Sequence, residues 1–398
     1  GGPPEPPYDL TGYELSLQMD VKADRVAEPF PLPGPAVEEV PSAAGGVRGE
    51  GSWGWALSPA SNDASRAVNE LLGGDERMFR AAGTFEAAGR SWPSGTWVVQ
   101  GGERDRLASL GQELGLAFHA LSAAPRASLR EVRTPRIGLY RGHTANMPEG
   151  WTRWILERYG FRYRSLSNED VRAGDFGDLD VVILPDQDAD DILNGHRPGT
   201  MPSEYVGGVG VEGAAALRRW VEGGGWVLAL DHGADFPIQQ FGLPLLNAVS
   251  GSRPEEFFIP GSLVRIQVDV SDPLGWGMAE NAVAFFVQSQ VFRVVPPASG
   301  GGQQAERDVT VFARYAEREP LASGWANGAE RYLAGAPAGV RLPLGQGQVV
   351  LVGFEPHFRG QPHNTFKLLF NPLYAATMEG TAPDDDGGTG SAGQGEDR

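Results

Sequence analysis

From residue 136 the chain alternates two kinds of hydrophobic run, and that alternation restricts the fold more than any other feature. "RIGLY" (136–140) is a short apolar strand, after which Trp151, Trp154, Ile155 and Tyr159 fall on one face of a helix. "YRSLS" follows, and "DLDVVILPD" is a nearly continuous apolar run, the pattern of a strand buried on both faces. A helix over roughly 211–222 carries Val211, Ala214, Leu217 and Val221 inward, and "GGGWVLALD" is the next buried strand. Strands alternating with helices predict an α/β domain with a doubly wound, mostly parallel sheet. After residue 260 strand-like pieces dominate ("SLVRIQVDV", "AVAFFVQ", "VTVFARY", "QVVLVGF"), before a closing helix over about 363–377.

The rest of the chain divides around that domain. Residues 1–50 are rich in proline and glycine and read as a linker, with one strand expected in "YELSLQMDVKADRV". Residues 51–122 read as a small α/β domain: "GWALS" and "SGTWVVQ" as strands, and two amphipathic helices, the second ended by Gly115. "SAAPRASLREVRTP" reads as the linker, 123–135, into the main domain at 136–378. The acidic, glycine-rich 379–398 reads as a disordered tail. The chain begins with Gly1, which suggests a piece of a longer protein.

Composition removes several function classes. Among the 398 residues, 51 acidic against 33 basic side chains give a net charge of −18, which repels phosphate backbones, so no nucleic-acid partner is expected. No apolar run approaches the roughly 18 residues of a membrane span. The absence of cysteine excludes thiol nucleophiles, disulfides and cysteine-ligated zinc.

The polar residues of interest follow the strands: Tyr140 and Arg141, Asp186 and Gln187 in "LPDQ", Asp231 and His232 in "ALDHGAD", and Glu355 and His357 in "GFEPHF". In an open parallel sheet these ends meet along one edge, where ligands bind, so the eight form the candidate cleft. A glutamine amidotransferase places a thiol on a tight strand-to-helix turn and a His-Pro-Glu sequence on a late strand. Here Glu355-Pro356-His357 runs in the reverse order, and Asp231 or His232 stands at the turn. A carboxylate nucleophile at Asp231 is conceivable, but no catalytic residue is assigned. His232-x-x-Asp235 has the spacing of a two-ligand turn, to which Glu355, His357 and His363 would add others. The histidines are scattered, however, and neither a metal nor a cofactor is expected in this chain. "GTMPSEYVGGVG" reads as a lid or binding loop, or as a simple connector.

Taken in order, "RIGLYRGHTANMPEGWTRWILERYGFRYRSL", "DVVILPDQ", "GTMPSEYVGGVG", "GGGWVLALD", "PGSLVRIQVD" and "GFEPHFRGQPHNTFKLLFN" resemble the C-terminal region of large bacterial zinc carboxypeptidase-like proteins. There a peptidase domain of the carboxypeptidase A type precedes a module related to class I glutamine amidotransferases. The resemblance covers nearly all of residues 7–375. It implies an amidotransferase-like (flavodoxin-like) main domain and secretion or a periplasmic location. It also implies an upstream peptidase domain as partner, with zinc and peptide substrate belonging there. The family's zinc motif is His-x-x-Glu, and none of the six histidines here has glutamate three residues on. The expected function is therefore non-catalytic: binding or positioning substrate or the peptidase domain. The rivals are an independent hydrolase using Asp231, His232, Glu355 and His357, and a purely structural appendage.

Overall fold

The computed structural model describes residues 7–31, 34–35, 38, 44–295 and 308–380. Nine strands form the path of the main sheet: β1 (Ile137–Tyr140), β2 (Tyr163–Leu166), β3 (Val181–Leu184), β4 (Trp226–Leu230), β5 (Ser262–Val268), β6 (Asn281–Phe286), β7 (Thr310–Tyr315), β8 (Pro337–Leu344) and β9 (Gly347–Val352). Their spatial order is β2-β1-β3-β4-β9-β8-β7-β5-β6, with Leu321–Ser323 paired on β5. The first five run parallel. With β9 as the fifth parallel strand, their order is 2-1-3-4-5, the flavodoxin-like arrangement expected of an amidotransferase-like domain. Beyond β9 the sheet continues antiparallel.

The sequence explains this division. Each parallel strand of the centre is entirely or almost entirely buried, as in β3 and β4, because helices cover both faces. Strand β5 instead reads buried and exposed in alternation toward its end, the mark of a sheet with one wet face. Helix Gly210–Glu222 buries Ala214, Leu217 and Val221 but leaves Val211 exposed, because Val211 lies in the first turn, beyond the packed stripe. Trp154 is likewise exposed, while Ile155 and Tyr159 of the same stretch are buried.

The small unit is a seven-stranded sheet in the order 46–48, 117–121, 54–57, 97–100, 77–81, 129–132 and 379–380, with helices Asp63–Leu71 and Arg104–Leu114. Three boundaries therefore move. Strand Gly46–Arg48, expected in the 1–50 linker, pairs with 117–121. Strand Leu129–Val132 lies inside the expected 123–135 linker; it pairs with 77–81 and buries Leu129 and Val132. Glu379–Gly380, expected in the tail, pairs with that strand, and 381–398 lie outside the described residues. The strand expected in 13–26 is absent: Leu15–Gln18 form a single helical turn. Its apolar residues Tyr13, Leu15, Met19 and Val21 are exposed, so their alternation marks no buried face.

The join between the units is stapled rather than slack. Asp180, just ahead of β3, accepts two 2.6 Å bonds from the Arg133 guanidinium and further bonds from the backbone N, Nε and Nη2 of Arg136. Burial alone would raise the Asp180 pKa, but the two arginines overcome it and hold it at about 2.

Both units also share a core, and the terminal helix Lys367–Ala375 seals it. Tyr374 packs edge-on against Trp97 of the small sheet, ring centroids 4.9 Å apart, and against Phe161 of the main domain. Its hydroxyl donates to Asn69 Oδ1 at 3.0 Å, while Lys367 Nζ donates to Ala60 O and Asn62 Oδ1. We expect Tyr374→Ala to cost about 3–5 kcal/mol, the usual range for emptying a buried aromatic site. Because the core is shared between the units, tryptophan fluorescence and far-UV circular dichroism should report one coincident urea transition in wild type. A small unit that melts separately would show that the shared core does not couple them.

Candidate functional site

Strand β4 delivers Leu230 into the core, and the chain must then turn sharply into helix Asp235–Phe241. Asp231 makes that turn with φ +47, the left-handed region that a residue with a Cβ seldom enters. Two residues on, Gly233 passes so close to the end of β3 that a Cβ would lie 2.3 Å from the Pro185 carbonyl. A small residue on each side of a strained residue, as in Ala229-x-Asp231-x-Gly233, is the elbow on which such folds mount a nucleophile.

The elbow does not present Asp231 to solvent. Asp231 is 2% exposed, and its Oδ2 accepts a 2.6 Å bond from the Ser289 hydroxyl. Its Oδ1 has no hydrogen-bond partner, although His232 Nδ1 stands 3.4 Å away. Burial, and then the charge of Asp186, push the Asp231 carboxyl well above the usual range. His232 is half in solvent. Its Nδ1 lies 2.9 Å from Asp186 Oδ1, which also accepts the His232 backbone N–H. That hydrogen bond, then the Asp231 charge, raise the imidazole to about 10, so His232 is an imidazolium at neutral pH.

Glu355 and His357 lie deeper. Glu355 is 4% exposed with Oε1 unpartnered, and burial followed by the charges of Asp186 and Asp231 pushes its carboxyl well above its ordinary range. His357 is fully buried, 3.5 Å from Glu355 Oε1, with Nε2 at 2.8 Å from Thr152 Oγ1. The Thr152 hydroxyl donates its only proton to the Pro148 carbonyl, so Nε2–H of His357 must be the donor to Thr152. Nδ1 is then the bare nitrogen, and it has no partner. Burial drives the His357 pKa down to about 3, so the ring is neutral.

The remaining candidates sit apart from this cluster. Tyr140 is buried among apolar side chains and donates to Asn168 Oδ1 at 2.7 Å. Arg141 is exposed, and its backbone N–H extends the pairing with β2 through Leu166 O. Gln187 accepts from Nδ2 of Asn146, whose Oδ1 caps the helix Met147–Arg158 by accepting the Glu149 N–H. The loop after residue 194 is tied down near these ends: His196 meets the His143 carbonyl at 3.3 Å, and Tyr205 packs edge-on against His143.

Three contributors were not singled out from sequence. Ser289 holds Asp231, the buried Gln290 donates through Nε2 to Asp235 Oδ2 at 2.9 Å, and Asp188 lines the opening. The signal for the first two is "QSQ" inside the apolar run "AFFVQSQVF". His232, Asp188 and Asp235 face Phe257, Phe258 and Ile259 across a cleft of about 350 Å³. A larger depression of about 470 Å³ lies on the small unit beside Arg48, His119 and Arg126, away from the strand ends.

The neutral, buried His357 has a pH signature. Its folded pKa is depressed, so its contribution is present above the unfolded value near 6.5 and is lost as pH falls toward about 3. The stability difference between wild type and His357→Gln should therefore shrink by about 2 kcal/mol from pH 7.5 to pH 5, at ~1.4 kcal/mol per pH unit below the unfolded pKa. Urea titrations of both proteins at the two pH values measure it. A difference that does not change with pH would mean that the folded ring is protonated.

No family model matches this chain, and no curated protein matches it. Among solved structures it is similar to a cytoplasmic protein of Salmonella typhimurium at 13% identity and TM-score 0.37, over 60% of this chain and 97% of that one. A Thermoplasma acidophilum protein described as belonging to GMP synthase gives 14% identity and TM-score 0.34, over 61% of this chain and 96% of the other. A protein of Bacteroides uniformis described as ThuA-like gives 13% identity and TM-score 0.34, over 60% and 89%. Likeness at this level carries no argument about activity, and the fold assignment stands on the strand order given above.

Proposed function

We propose that this chain is a non-catalytic binding module, the accessory region of a secreted zinc carboxypeptidase-like protein, whose strand-end cleft holds or positions a ligand. The observation that carries the non-catalytic reading is the state of Asp231. It occupies the nucleophile's place on the elbow, yet it is 2% exposed and bonded inward to Ser289. A nucleophile has to present its atom to substrate with a base in reach. His357 is sealed at the core beside Thr152, and His232 already carries its proton, bonded to Asp186 and beside the buried Asp231 carboxyl. The relation to a peptidase is supported by the ordered motifs alone. In that reading the zinc belongs to an upstream domain, which is also the module's partner.

The independent-hydrolase reading has one observation in its favour, the left-handed backbone at Asp231. One set of assays separates the two. The 398-residue chain should release neither ammonia from glutamine nor C-terminal residues from peptides, with or without a zinc chelator. Fused to a carboxypeptidase A-type domain, it should change KM or thermal stability and leave kcat within about twofold, as for a purely binding contribution. Glutamine or peptide turnover by the isolated chain that is lost in Asp231→Asn would establish the hydrolase instead.

A further inference from the structure

We propose that Asp186, Asp231 and His232 form a binding site for a divalent transition-metal cation, Zn²⁺ or Mn²⁺. The inference goes beyond the binding reading and does not depend on the relation to a peptidase.

Each of the three offers one ligand atom, and the three atoms lie within 4.8 Å of one another. His232 Nδ1 stands 2.9 Å from Asp186 Oδ1 and 3.4 Å from Asp231 Oδ1. Ligands of a tetrahedral zinc at about 2.0–2.2 Å are separated by roughly 3.3–3.6 Å, so small side-chain rotations bring this set to coordination distance. Two carboxylate oxygens and one imidazole nitrogen suit a borderline cation, which would displace the Nδ1 proton of His232 to solvent, and a set of three protein ligands leaves one position open. The imidazole is partly exposed and borders the 350 Å³ cleft, which gives an ion a way in.

A cluster of this kind can be no more than an imidazolium shared by two acids. Asp231 Oδ1 argues further. It belongs to a carboxyl that is only 2% exposed, it has no hydrogen-bond partner, and it lies 3.4 Å from His232 Nδ1. Leaving a buried acceptor unsatisfied is unfavourable, and a cation between the three groups would satisfy it. The other oxygen is already fixed by Ser289, and Oδ1 itself is shielded from solvent. Orientation of a metal-binding carboxylate by an outer hydrogen-bond donor is the usual supporting arrangement.

The test uses the full 398-residue chain, stripped with chelator and desalted, titrated with ZnCl₂ and separately with MnCl₂ by calorimetry and equilibrium dialysis. We expect one ion per chain for at least one of the two metals, with affinity at least about tenfold weaker in Asp186→Asn and in Asp231→Asn. Asp186 is partly exposed, so its variant keeps the test valid if the buried Asp231→Asn does not fold, as judged by circular dichroism. His119→Gln on the small unit should leave stoichiometry and affinity unchanged. Failure of both metals to bind at a large molar excess would overturn the site. So would one-to-one binding that Asp186→Asn leaves intact, since the ion would then sit on other histidines.

Discussion

The return of the chain's last helix onto both units is the contact on which the rest of the structure depends. Lys367–Ala375 is almost wholly apolar and buries Leu368, Leu369, Phe370, Leu373 and Tyr374. A single core runs from Val68 and Trp97 in the small unit, through Tyr374 and Phe370, to Tyr159 and Phe161 in the main domain. The hydrophobic effect is non-directional, so such a core alone does not fix how two units sit. Direction comes from polar groups inside it. Asn371 donates to the carbonyls of Leu274 and Trp276, and Lys367 donates to Ala60 and Asn62 across the join.

Arg80 shows the same logic at greater cost. It reaches from the small sheet into the join and is 2% exposed. Its guanidinium lies 4.2 Å from the Trp97 ring centroid and 5.1 Å from that of Trp276. Desolvation lowers its pKa to about 9, and Nε and Nη2 have no hydrogen-bond partner. Two indole faces replace part of the hydration that the charge gives up. A cation held this way tolerates one arrangement of the two tryptophans, one on each unit, and so specifies the docking angle.

At the strand-end edge the balance runs the other way. Three carboxyls, Asp231, Glu355 and Asp235, are held above their ordinary range mainly by burial, beside one imidazolium. Neighbouring acids in low dielectric cannot all ionise, so the edge retains protons or gains a cation. The fold imposes this crowding, since consecutive parallel strands release their C-terminal residues at one crevice.

How much of this was legible in advance follows from the range of each interaction. The doubly wound sheet was readable because β3, β4 and β9 are continuous apolar runs, and burial on both faces demands that composition. The candidate edge was readable for the same reason: Asp186, Asp231, His232, Glu355 and His357 follow those runs directly. Sequence could not tell which of them meet. Asp186 and His232 are 46 residues apart, and Ser289 is 58 from Asp231. Tyr140 follows the same rule of position and yet turns into a different core. Strand Leu129–Val132 was hidden because a four-residue strand with two polar positions has no local signature and becomes a strand only by pairing with its neighbours. The sequence by itself thus determined where the strands run and which residues stand at their ends, since those depend on local hydrophobic pattern. Only the tertiary structure decided which charges are buried together, because desolvation and Coulomb energy depend on distances that the chain's order does not contain.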